Sequence, residues 1–344
     1  MNADRRGRAL AAMADAGIDA LILGREANAR YVSGARRLWL AGPRAFAPGC
    51  VLVASGDVHL LSTSDDGVPA DVPVENLYPI TWNPANLMAR LARVPELAAA
   101  RIVGVDALTP LMESLLAQTF PGAELVDGQA GMVAARRRKL PAEVDAMRRA
   151  AAVATQALDD VIAAAQPGMR ERDLLAQFAL RACELGTTTA AFEGHFGSVF
   201  PGDRVLAAGD RIVLDAGVLV DGYEGGLART IVCGDRRPDV TPADDLFTRL
   251  LAAVKPGAAA ADLWAAWDAA GVPRPSQPAA HGVGLGYEPP VFGDDTDPLV
   301  AGMTISLRAE VDGWMRRDAV VVTDAGAEPL ATIRRGSSSS AGAA

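Results

Sequence analysis

The sequence predicts an α+β protein: an α/β N-terminal domain of about 130 residues followed by a duplicated C-terminal domain with strands gathered around a pocket. Three observations carry this expectation. Helix-like and strand-like segments alternate through the first third of the chain. An eleven-residue segment recurs, Gln166–Ala176 against Lys255–Ala265, sharing Pro-Gly-x4-Asp-Leu-x-Ala. After each copy come Gly-rich, β-like segments, which carry Asp215 in the first case and His281 in the second.

Residues 5–16 read as a helix with the apolar stripe Leu10, Met13 and Ala14. Gly17–Leu23 is a turn leading into a buried strand. Val51–Ala54 and Val58–Leu61 flank Gly56-Asp57 as a hairpin, and a helix at Pro84–Leu91 precedes the strand Arg101–Val105. The cations Arg136-Arg137-Arg138-Lys139 read as a solvated linker or, alternatively, an anion site. The domains are then 1–135 and 136–335, with a Ser/Gly/Ala tail at 336–344 that has nothing to bury.

Pro141-Ala142-Glu143 opens a long Ala-rich helix, with Pro in the first turn and an acid suited to the helix dipole. In each copy of the repeat one helix ends at Pro-Gly and the next begins shortly before Asp-Leu. Two halves built this way would pack their sheets together and leave a pocket between them. Asp210–Asp215 is an apolar strand that ends on a carboxylate, and Asp221-Gly222 marks a hairpin between Val218–Val220 and Leu227–Val232. His281-Gly282-Val283-Gly284-Leu285-Gly286-Tyr287 reads as a glycine-spaced loop. Thr304–Val311 and Ala319–Thr323 are the closing strands, with Arg316-Arg317-Asp318 leading into the second.

Composition excludes several classes. Half of the 344 residues are apolar and 22% are charged, as in a globular protein. A formal net charge of −9 argues against a nucleic-acid binder. No run reaches the roughly 18 to 20 apolar residues of a membrane span, and the polar N-terminus shows no signal-peptide pattern. Three scattered cysteines without CxxC spacing fit reduced thiols and a cytoplasmic setting.

From about Leu140 to Leu330 the chain resembles the creatinase/aminopeptidase P/methionine aminopeptidase superfamily, whose duplicated fold is called pita-bread. The resemblance rests on Gly209-Asp210-x4-Asp215-Ala216-Gly217, Gly222-Tyr223, Arg229-Thr230, His281–Leu285, Glu288-Pro289-Pro290 and Gly302-Met303, in that order. Residues 1–135 resemble the creatinase-type N-terminal domain through Asn28–Gly34. In metal-dependent members two Asp, one His and two Glu hold two divalent ions that activate a water. Here those positions fall on Asp215, Gly226, His281, Arg308 and Arg317, so two ligands of five remain.

Guanidinium has no lone pair to give a metal, so the resemblance implies a site without metal or other cofactor. Arg308 and Arg317 read either as a clamp for a substrate anion or as partners of Asp215, Glu310 and Asp318. His281 would be the general acid/base, oriented or charged by Asp215, and Glu310 would bind a substrate nitrogen. His195 either enters the pocket or faces solvent, and Ser198 falls where the family places an auxiliary histidine. Tyr287 stands where a second histidine is common and either donates a hydrogen bond or packs. Counting by two along the strand puts Glu224 on the face of Gly226, where it either compensates for the lost Asp or is exposed by the nearby turn.

Creatinase provides the metal-free precedent that the resemblance implies. The first expectation is therefore a metal-independent enzyme acting on a small anionic, amino-acid-like substrate by C–N hydrolysis, elimination or rearrangement. The second is a non-catalytic protein that keeps the fold to bind an anion or a partner, and the weakest is a metal-dependent Xaa-Pro dipeptidase. The resemblance also implies a homodimer, in which Trp39, Arg44 and Phe46 could reach the neighbour's site.

Overall fold

The computed structural model describes residues 1–35, 49–79, 81, 83–234, 240–292 and 297–331. Trp39, Arg44 and Phe46 therefore lie outside the described residues. The chain forms two units, Met1–Arg137 and Arg138–Ala344.

In the first unit the order is α1 (Asn2–Asp15), β1 (Ala20–Leu23), α2 (Glu26–Ser33), β2 (Cys50–Val53), β3 (Val58–Leu61), β4 (Leu77–Tyr78), α3 (Pro84–Leu91), α4 (Pro95–Ala99), β5 (Ile102–Val105), α5 (Pro110–Thr119), β6 (Glu124–Asp127) and α6 (Gln129–Arg137). Six strands form one sheet in the order β4-β3-β2-β1-β5-β6. The central strand β1 is apolar throughout and wholly buried, as a strand covered on both faces must be. Ala20, Ile22, Val51, Val53 and Val103 pack against Leu87, Leu91 and Leu116 from the helices.

In the second unit the order is α7 (Pro141–Ala164), α8 (Glu171–Glu184), β7 (His195–Phe196), β8 (Arg211–Val220), β9 (Tyr223–Val232), α9 (Pro242–Ala253), α10 (Ala260–Asp268), β10 (Ala280–Gly284), β11 (Gly286–Phe292), β12 (Thr304–Val311), β13 (Trp314–Thr323) and β14 (Gly326–Pro329). The sheet runs β11-β10-β12-β13-β9-β8-β7, with β14 paired to β13. The two halves meet where β9 and β13 pair antiparallel.

The repeat recurs bond by bond. Gly168 and Gly257 both adopt positive φ, 93° and 87°, which favours glycine. The N–H of Gly168 donates to Leu206 and that of Gly257 to Leu299. Asp173 then accepts from the N–H of Arg170 at 3.1 Å, and Asp262 from that of Ala259 at 2.8 Å, each capping the helix that follows. In the first half, alternation sends Ile212, Leu214, Ala216 and Val218 of β8 into a core with Leu158 and Phe178 of the helices. In the second, Ile305, Leu307 and Ala309 of β12 pack with Phe247, Leu250 and Trp267. The opposite sheet face is left for polar side chains.

Three expectations from sequence need correction. Residues 136–139 are not a solvated linker: Arg136 lies in the last turn of α6 and is buried, and Lys139 is buried in an ion pair with Glu288 at 2.7 Å. The His281 segment is not a loop but the hairpin β10–β11, paired on its other side to β12. Arg316 and Arg317 likewise lie inside β13, which starts at Trp314. The Asp221-Gly222 turn joins β8 to β9 with φ of 52° and 83°, a primed hairpin turn.

Candidate functional site

Register gathers the site on one face of the sheet. Residues directly opposite one another in paired strands share a face, and the pairs are His195 with Asp215, Asp215 with Ala228, Ala228 with Arg317, Arg317 with Arg308, and His281 with Ser306. Period-two alternation adds Glu224 and Gly226 on β9 and Glu310 on β12. His195, Asp215, Glu224, His281, Arg308, Glu310 and Arg317 therefore face the same way.

At the centre is an ion pair. Arg317 donates from Nη2 to Asp215 Oδ1 at 2.5 Å and from Nε to the same oxygen at 3.2 Å, while Nη1 donates to Ser306 Oγ at 3.0 Å. Its guanidinium carbon lies 5.0 Å from the ring centroid of Phe192, within cation–π range. A Cβ at Gly226 would meet Nη2 at 3.0 Å and Nη1 at 3.2 Å. The guanidinium thus lies directly over Gly226 and would have to shift by a few tenths of an ångström to admit a side chain there.

These contacts correct the open anion clamp. Arg317 is bound to Asp215, and Arg308 is bound to Gln277 and Glu310. Positive and negative groups compensate within the face, so it does not simply change sign. Of the five N–H groups of a guanidinium, three on Arg317 are engaged among the described residues, leaving one on each terminal nitrogen. Glu310, expected to take a substrate nitrogen, accepts from Arg308 instead.

Glu224 is also corrected, because it is buried, 8% exposed, rather than open at a turn. Burial pushes its pKa above the usual glutamate range, and the charges of Asp215 and Glu288 push the same way against the opposing pull of Arg317. The folded state therefore holds this proton to higher pH than the unfolded chain does. Stability falls as pH rises from the ordinary glutamate value to the raised one. Glu224→Gln is expected to melt at a higher temperature than wild type at neutral pH and at the same temperature in acid. Parallel melting profiles across pH would sink this assignment.

His281 is largely buried, which lowers its pKa. The Gly282 carbonyl opposes that shift, Arg317 adds to it, and Asp215 opposes it. Its Nδ1 lies 3.0 Å from the Gly282 carbonyl oxygen. A carbonyl only accepts, so Nδ1 carries the proton and Nε2 presents a lone pair. Tyr287 stacks on the imidazole with centroids 4.2 Å apart and is itself 61% exposed. Behind the hairpin, Glu288 binds Lys139 and also accepts from the N–H of Leu285 at 3.2 Å, fixing the strand that carries His281.

Ser198 is not brought to this group. Its hydroxyl donates to Glu171 of α8 at 2.6 Å, and Glu171 also accepts from Arg204 at 2.9 Å. Sequence reasoning missed Ser306 and Phe192 as partners of Arg317. Ser306 was within reach, two residues before Arg308 on the same strand face. No spacing signal marks Phe192.

The donor set does not fit a metal pair. Among the described residues, no three His, Cys, Asp or Glu side chains gather as a metal-holding group. Asp215 is held by a cation, and two of the five positions present guanidinium.

A duplicated α+β domain with its polar side chains at the seam of two halves, following an α/β domain in the sequence, defines a pita-bread protein. Residues 145–325 match Metallopeptidase family M24 and residues 5–138 match the Creatinase/Prolidase N-terminal domain. The chain belongs to metallopeptidase family M24. Among curated sequences none matches. Among solved structures it is similar to an Xaa-Pro dipeptidase from Bacillus anthracis, with TM-score 0.77, 18% identity, and 96% of this chain and 97% of that one covered. It is similar to an X-Pro aminopeptidase from Thermotoga maritima MSB8 at TM-score 0.80 and 16% identity, covering 96% and 98%. Dipeptidase PepE from Mycobacterium ulcerans is 27% identical at TM-score 0.73, with 96% and 95% covered.

Proposed function

We propose that this M24 member acts on a small amino-acid-like carboxylate without a metal pair, with Arg317 as the fixed positive charge of the site. The observation that carries the reading is the guanidinium of Arg317 bound to Asp215 and seated over Gly226. Its two remaining N–H groups can hold a substrate carboxylate or an oxyanion that develops during reaction. His281, neutral near pH 7 because its pKa is depressed, takes a proton at Nε2 from water or substrate and returns it to the leaving nitrogen. Asp215 orients Arg317 and supplies negative charge to the imidazolium that forms. The product class is that of C–N cleavage, by hydrolysis or elimination.

The test is metal analysis of protein purified without chelator, followed by turnover of N-substituted amino acids with and without EDTA. The expected result is less than stoichiometric metal, chelator-insensitive turnover and its loss in His281→Ala. Stoichiometric Mn, Co, Zn or Fe would overturn the reading. A second reading, Xaa-Pro dipeptide hydrolysis with bound metal, is favoured by the names of the structural neighbours. It requires Asp215 to leave Arg317, and metal-dependent cleavage of Xaa-Pro dipeptides would establish it.

A further inference from the structure

A cavity of about 460 Å³ opens beside the site, between α8 and the segments 187–194 and 199–201. Its volume lies within the roughly 300–1,000 Å³ typical of small-molecule sites. Leu175 and Phe178 of α8 form one wall, and Phe192 forms another. At its rim Val199 and Phe200 are 56% and 76% exposed, a costly arrangement for two adjacent apolar side chains unless something covers them.

Phe192 joins this cavity to the site. Its Cε1 is 2.8 Å from where a Cβ on Gly217 would lie and 3.2 Å from the corresponding point on Gly226. The ring therefore lies over two side-chain-free positions of the sheet, with the Arg317 guanidinium 5.0 Å from its centroid. The same ring lines the cavity, as does Gly217. One aromatic ring thus touches both the charged group and the apolar space, and the two together match a ligand with a charged end and a bulky apolar branch.

We propose that this cavity receives the aromatic or branched apolar side chain of the amino-acid-like carboxylate whose charged end is held at Arg317. The proposal rests on the carboxylate reading above and adds the side-chain class to it. Burying such a group takes its apolar surface out of water, so a ligand carrying it binds at least tenfold tighter than one that lacks it.

Calorimetry with N-acetyl-L-phenylalanine, N-acetylglycine and the uncharged N-acetyl-L-phenylalaninamide tests this. The expected order places N-acetyl-L-phenylalanine first by tenfold or more. Ala179→Phe, which fills the cavity from the exposed side of α8, removes that advantage while a melting curve confirms the fold. Equal affinity for the phenylalanine and glycine compounds overturns the cavity proposal and leaves the carboxylate reading standing. Equal affinity for the acid and the amide, both above N-acetylglycine, overturns the carboxylate reading and keeps the apolar cavity. Binding of none of the three at millimolar concentration, or an advantage that survives Ala179→Phe, overturns the proposal.

Discussion

Arg317→Ala lowers the melting temperature by roughly 6–12 °C, from a loss of about 3 kcal/mol for breaking a mostly buried ion pair in a unit of this size. The side chains of Arg317 and Asp215 are 10% and 15% exposed, so water compensates little for the missing partner. The substitution also removes the pull of Arg317 on Glu224, leaving two carboxylates on one face without their shared cation. Glu224, whose carboxyl burial already holds protonated to higher pH, is uncharged in acid, so this part of the gap between variant and wild type narrows as pH falls. Replacing both partners, as in Asp215→Asn with Arg317→Met, recovers much of the loss because no unpaired charge stays buried. Calorimetric melting across pH measures all three. A single variant as stable as wild type would show that the pair contributes nothing.

Gly225→Ala is expected to abolish the folded protein. A Cβ at this position would lie 2.1 Å from the backbone nitrogen of Ala151 and 2.2 Å from the carbonyl carbon of Ala150. Both are atoms of the α7 backbone, so no rotamer change relieves the clash and the helix must lift from β9. The cost exceeds the roughly 1–3 kcal/mol of ordinary overpacking. Gly7→Ala is the control, since nothing lies within 4 Å of its Cβ and the glycine has no positive φ. Soluble yield and size-exclusion profiles distinguish the two, and a well-folded Gly225→Ala would contradict the close approach of α7 to β9.

Particular residues show what was legible in the sequence. The repeat was, because its shared residues act on the backbone: Pro-Gly makes a positive-φ turn, and the following Asp caps the next helix. The faces were legible too, since counting by two from Gly226 reaches Glu224 and counting from Arg308 reaches Glu310. What spacing could not supply was pairing across strands distant in sequence. Arg317 meets Asp215, 102 residues away, and Lys139 meets Glu288, 149 residues away. The burial of Glu224 is likewise a property of the folded sheet and not of its distance to a turn. Phe192 lies in a segment with no periodicity, and only the folded chain shows that its ring covers Gly217 and Gly226.

The seam between β9 and β13 ties together two positions 91 residues apart. Gly226 belongs to one half of the duplicated domain and Arg317 to the other, and a Cβ on the first would lie 3.0 Å from Nη2 of the second. A side chain at 226 therefore moves the guanidinium by a few tenths of an ångström, and an acid there competes with Asp215 for the same cation. An acid at 317 instead leaves Asp215 and Glu224 facing a third carboxylate. Substitutions at 226 and 317 are then non-additive across the two halves, and a double-mutant cycle between them reads the coupling directly.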